Sequence, residues 1–168
     1  LQARLRDGEQ WGALHQAWYE PDVSPPLVLN EWNAVAEDAW IEGGDDTLGA
    51  VEGNGGDWLE LVVIEDGLDL RGWWLELDNR NGEQGTVAFT DSALWADLAA
   101  GTIVTVAEAL DEDLSHDPGA DDWNLQVRAG VDGSGEHVSA AGFDVDEIDW
   151  QLTVRDADGD IRFGPAGE

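Results

Sequence analysis

The sequence predicts an all-β chain, folded as an antiparallel sandwich of seven or more short strands, and three observations predict it. Apolar and polar residues alternate over short runs, the period of a half-buried strand. Clusters of Gly, Asp and Asn, the residues that favour turns, separate those runs. Two runs rich in Trp, Leu and Val, DWLELVV and LDLRGWWLEL, are joined by a short Asp/Gly connection between Asn54 and Leu77, the mark of hairpin-built β-structure. In the second run Trp73, Leu75 and Leu77 fall on one face, while Trp74, Glu76 and Asp78 fall on the other.

The elements follow in order. Residues 1–26 differ from the rest: Leu1, Leu5, Trp11, Leu14 and Trp18 approximate a helical stripe, which Gly8 and Gly12 weaken, and Pro21, Pro25 and Pro26 end it. This segment is expected to be an arm or the tail of a preceding module. It either folds back to bury Trp11 and Trp18 or docks on a neighbouring subunit. The sandwich domain is expected over 27–165, with 166–168 the start of a linker. Leu27 to Trp32 reads as the first strand, and residues 37–57 as a long Gly/Asp-rich loop. Strands follow near 58–64, 71–77 and 86–90, with a turn at Asn81-Gly82. Ser92 to Ala100 has room for one or two helical turns, capped by Asp91 or Ser92 and stopped by Gly101. Further strands are expected at 103–107, 123–127 and near 137–143, around an acidic loop at 108–122 and a Gly/Ser/Asp loop at 130–136. Residues 150–155 and 160–163 close the pattern as a hairpin around Ala157-Asp158-Gly159.

Composition bounds the function. A chain of 168 residues supports one domain with a sizeable core, and 42% hydrophobic residues with ten Trp argue against disorder. The formal net charge is −31, lysine is absent and all seven basic residues are Arg. Such a field repels phosphate backbones and anionic lipid, so neither nucleic acid nor a membrane is expected as a partner. Two readings of the acidity stand: adaptation to a saline setting, or calcium loading in an extracellular medium. There is no cysteine, which rules out disulfides, and no apolar run reaches ~18 residues. The chain opens on Leu1 without a signal-peptide pattern, and is expected to be processed from something longer.

Five pieces in order carry a resemblance: LVLNEWNA (27–34), GDWLELVV (56–63), LDLRGWWLE (68–76), GTIVTVAEAL (101–110) and DWQLTVRDADGD (149–160). With these the chain resembles the lamin-tail domain, an immunoglobulin-like β-sandwich of nuclear lamins and of many bacterial secreted proteins. The long 37–57 loop, the acidic 108–122 loop and the extreme charge depart from that pattern. The resemblance implies a non-enzymatic adhesion, anchoring or targeting module. The acidic surface points to an extracellular or cell-surface setting, and a protein or polysaccharide partner is expected there, with no cofactor required. A self-assembling fibre subunit using residues 1–26 and a carbohydrate-binding module are the alternative readings.

Side-chain chemistry offers a few candidates. Asp156, Asp158 and Asp160 stand at the first three ligand spacings of a calcium loop. Ile161 stands at the sixth position, where such a loop needs Gly, and Glu168 falls past the twelfth, so a plain hairpin turn is the competing reading. Asp111, Asp113 and Asp117, and likewise Asp144, Asp146 and Glu147, are acidic clusters that sandwich-end loops can gather around Ca2+ or leave solvated. Trp74 is the candidate aromatic platform, flanked by Glu76 and Asp78, with Trp40 a second. Trp11 and Trp18 are the candidate anchors for self-association through residues 1–26. Trp32, Trp58, Trp73, Trp123 and Trp150 are expected in the core or at strand edges. His15, His116 and His137 are scattered without metal-pair spacing, and Ser115-His116-Asp117 are adjacent, the wrong geometry for a triad.

Overall fold

The structure, a computed structural model, describes residues 24–35, 56–79, 82, 84–108, 123–129, 136–146 and 148–167, and the backbone of four two-residue strands before them. Those four are β1 (Gln2–Ala3), β2 (Arg6–Asp7), β3 (Gln10–Trp11) and β4 (His15–Gln16). β1 pairs antiparallel with β4, and β2 with β3. The helical stripe expected over this arm is thus corrected at the described positions to short strand pairs. Gly8 and Gly12 each cost a helix about 1 kcal/mol, and a chain this short has little propensity to spare.

Nine strands make the sandwich: β5 (Leu27–Asn33), β6 (Trp58–Val63), β7 (Trp74–Asp78), β8 (Gln84–Phe89), β9 (Ile103–Ala107), β10 (Asn124–Arg128), β11 (Val138–Ala141), β12 (Gln151–Arg155) and β13 (Ile161–Gly167). The first sheet has the order β10-β9-β6-β5 and the second β11-β8-β7-β12-β13. Each forms because alternation commits one face to the interior. In β7 and β12 every second residue is buried: Leu75 and Leu77 in one, Leu152 and Val154 in the other. β6 and β9 do the same for the first sheet with Leu59, Leu61, Val104 and Val106, all essentially inaccessible. The two inner faces close one continuous core.

Pairing is antiparallel except at one edge. β10 runs parallel to β9, Leu125 opposite Val104 and Val127 opposite Val106. A parallel pair cannot be joined by a tight turn, so the chain between Ala107 and Asn124 has to return the length of the strand. That requirement accounts for the length of the acidic segment at 108–122, which composition alone reads only as a loop.

The helical turn expected after Ser92 is a single 3-10 turn, Ala93–Trp95, with Ser92 Oγ accepting the Leu94 N–H at 3.3 Å. It ends at Ala96, whose backbone is already extended, rather than at Gly101. The cause is tertiary: Trp95 is drawn wholly into the core, and Leu98 bridges to Leu68. Trp95 is with Trp150 the largest fully buried side chain. Trp123, just before β10, is 39% exposed at the sheet edge. Among the described residues no helix is long and apolar enough to cross a membrane.

Candidate binding face

The outer face of the second sheet is assembled by register. Ser139, Ala88, Trp74, Arg155 and Ile161 stand opposite one another on β11, β8, β7, β12 and β13. They make one row across all five strands. Ala88 and Ser139 are small, which leaves that flank of the Trp74 indole low. On the other flank Arg155 lies alongside, and Ile161 at the edge is 53% exposed.

Trp74 is half-buried and held in place. Its Nε1 donates to Glu76 Oε1 at 3.2 Å. The other oxygen of Glu76 lies 2.8 Å from Arg155 Nε. Arg155 Nη1 donates in turn to the Gly159 carbonyl at 2.9 Å. The Arg155 guanidinium beside Glu76 holds that carboxyl below its ordinary range, and the Trp74 N–H adds to the effect. The β12–β13 turn folds towards the ring: a Cβ on Gly159 would sit 3.6 Å from Trp74 Cη2. Gly159 also has φ +90°, a left-handed backbone that strains any residue with a side chain. The result is an indole fixed in a polar frame, a geometry suited to stacking on a flat partner.

The Asp156–Asp160 turn is built on the carboxylate of Asp156. Oδ1 accepts the N–H of Asp158 and of Asp160, both at 3.0 Å, and Oδ2 meets Arg162 Nη1 at 3.2 Å. Arg162 also lies over the Trp73 ring, 5.5 Å from its centroid. Desolvation pushes the Asp156 carboxyl up, but the Asp160 N–H, Arg162 and the Asp158 N–H together outweigh it and leave it below its ordinary range. Asp156 therefore serves the hairpin, and among the described residues no group of three His, Cys, Asp or Glu stands where it can hold a metal ion. A depressed folded-state pKa contributes stability that is present above the unfolded value and lost as pH falls through the folded one. Asp156→Ala is accordingly expected to lower the melting temperature at pH 7, with the deficit shrinking towards pH 3. Thermal melts of both chains across that range check it.

The remaining candidates divide by position. Trp11 lies in β3, where only the backbone is described. Trp18, Trp40, Asp111, Asp113 and Asp117 lie outside the described residues.

Three groupings escape a reading of the sequence. Asp57, only 6% exposed, accepts the Val35 N–H on Oδ1 at 2.7 Å and the Val145 N–H on Oδ2 at 3.0 Å. Val35 follows β5 of the first sheet and Val145 follows β11 of the second, so one carboxylate ties the two sheets. Burial pushes its pKa from 3.8 up to about 6; the two N–H donors oppose this, while Glu108 and Asp144 add repulsion. Ser92 Oγ lies 2.8 Å from His137 Nδ1, fixing the 3-10 corner against β11. Asn79, 8% exposed, donates from Nδ2 to Asp144 Oδ2 at 2.7 Å. All three link residues more than twenty positions apart, and period-2 patterning carries no signal for such pairs.

No family model, no curated protein and no solved structure matches this chain.

Proposed function

We propose that the chain is a non-catalytic interaction module of a secreted or cell-surface protein, and that the outer face of the second sheet meets its partner. The observation that carries this reading is the row Ala88–Trp74–Arg155, where register puts a framed indole beside low residues on a broad sheet. The preorganised ring keeps its orientation without a partner, so little side-chain freedom is lost on association. The lamin-tail resemblance of the five quoted segments supports the same class of adhesion or anchoring module. The net charge of −31 supports an extracellular, saline setting.

The partner on this reading is a cell-surface polysaccharide or protein. A glycan array and a pull-down from cell-envelope material, each run with the whole chain and with Trp74→Ala, test the proposal. Binding in either format is expected, weakened by at least tenfold in the variant, as befits an aromatic anchor at the centre of a contact. Binding that survives in Trp74→Ala, or none from the parent chain in either format, would remove this face from consideration.

A further inference from the structure

A second concavity lies away from the Trp74 row, where the β7–β8 hairpin meets the segment leaving β11. It has a volume of about 300 Å³, at the lower end of the range of small-molecule sites. Its floor exists because two backbones approach closely: a Cβ on Gly85 would run into the Gly142 carbonyl oxygen, so no other residue fits there without moving the strand. Gly142 itself has φ +71° and turns the chain out of β11. Leu77 and Phe143 form the apolar wall, and Asn79, Gln84 and Asp144 the polar one.

The polar wall is rigid. Asp144 is held through its side chain by Asn79 Nδ2 and through its backbone carbonyl by Trp150 Nε1 at 3.2 Å. Trp150 is fully buried and stacks on Trp32 with ring centroids 5.7 Å apart, so the carbonyl is anchored to the core. One position on, the Val145 N–H is bound by Asp57. With its backbone held on both sides and one carboxylate oxygen bound by Asn79, the exposed Asp144 is an acceptor whose direction is set in advance. Gln84, at the exposed start of β8, adds an amide that both donates and accepts.

We infer that this cleft binds a single hexose-sized sugar, its hydroxyls on Asp144 and Gln84 and its C–H face towards Phe143. The match is one of character. A pyranose combines an apolar face with a rim of donors and acceptors, and the cleft opposes an apolar wall to a polar one. Charge sets the order among sugars. Asp144 stands on the cleft in a chain of net charge −31, so an amino sugar is favoured over a neutral one and a uronate is disfavoured.

Saturation-transfer NMR and titration of the whole chain with glucosamine, glucose and glucuronate test the inference. The expected result is binding in the order glucosamine, glucose, glucuronate, with the first two weakened at least tenfold by Asp144→Ala and by Gln84→Ala. Gln84→Ala removes an exposed side chain only, so its effect is read on a folded protein. Ile64 is 45% exposed just beyond β6 of the first sheet, and Ile64→Ala is expected to leave the affinity unchanged, which separates a loss at the cleft from a general one. Absence of transfer to glucosamine and glucose overturns the inference, as does glucuronate binding tightest. Loss of binding in Trp74→Ala with retention in both cleft variants also overturns it, by moving the sugar to the outer face.

Discussion

Trp95→Ala is expected to destabilise the fold by about 3–5 kcal/mol, the range for removing a fully buried large aromatic. Trp95 has no accessible surface and packs edge-on against Phe89 with ring centroids 4.7 Å apart. Its Nε1 donates to the His137 carbonyl at 2.7 Å, which joins the 3-10 turn to the start of β11. The hydrogen bond is the smaller share of the loss. The same carbonyl also accepts from Thr90 N and from Thr90 Oγ1, each at 2.9 Å, so it keeps partners when the indole goes. What goes unfilled is volume between the sheets. Trp95→Phe is therefore expected to cost markedly less, about 1–3 kcal/mol, because most of the ring contact survives. Urea unfolding of the three chains, compared at equal m-value, checks the order. Equal losses in both variants would show that the indole N–H carries the energy.

The second large effect concerns Asp57 and pH. Its folded-state pKa is raised, from 3.8 to about 6, chiefly by burial. A raised pKa means that the folded state holds the proton more tightly than the unfolded chain. The corresponding stability is fully present below pH 3.8 and is lost as pH rises through 6. The two values differ by about two pH units, so this one group is expected to make the fold about 3 kcal/mol more stable near pH 4 than near pH 7. Relief of general acidic repulsion acts in the same direction, and Asp57→Asn isolates the local part. The variant keeps one carbonyl oxygen for one of the two N–H groups, loses the other bond, and cannot titrate. Its stability is expected to be flatter across this window by that 3 kcal/mol, measured by denaturant midpoints at constant ionic strength. Asp57→Ala goes further. It strips the acceptor from both Val35 N–H and Val145 N–H in a buried place, an expected loss of about 2–5 kcal/mol at pH 7. Parallel pH profiles for the parent and Asp57→Asn would sink the assignment.

Asp57 and Trp95 show where sequence reasoning reaches its limit. The strand at Trp58–Val63 is legible because alternation is written into adjacent residues, and the buried set Leu59, Leu61, Val63 follows from it. That Asp57, one position earlier, is a buried tie between sheets is not legible. Its two donors lie 22 and 88 residues away and are backbone groups, which carry no residue-type signal. Trp95 sits in a stretch with no strand period, and only the packing of the 3-10 turn against Phe89 reveals it as core. Trp74 falls between these cases. Alternation puts it on the outer face with Glu76, but its place beside Ala88 and Arg155 depends on which strands are neighbours.

The parallel pairing of β9 with β10 makes the same point about topology. Both strands are legible, Ile103–Ala107 as a run of β-branched and apolar residues and Asn124–Arg128 as polar–apolar alternation, yet their relative direction is a property of the sheet. The sequence by itself determined that this chain is all-β, which side of the Trp74–Asp78 strand is buried, and that a tight Asp-Gly turn joins the last two strands. Those features depend on residues one to four positions apart, through pleat geometry and turn chemistry. Only the tertiary structure decided strand order, the tie at Asp57, the row through Trp74 and the cleft beside Asp144. Each depends on contacts between distant segments, whose relative placement is set by how two sheets fill a shared core.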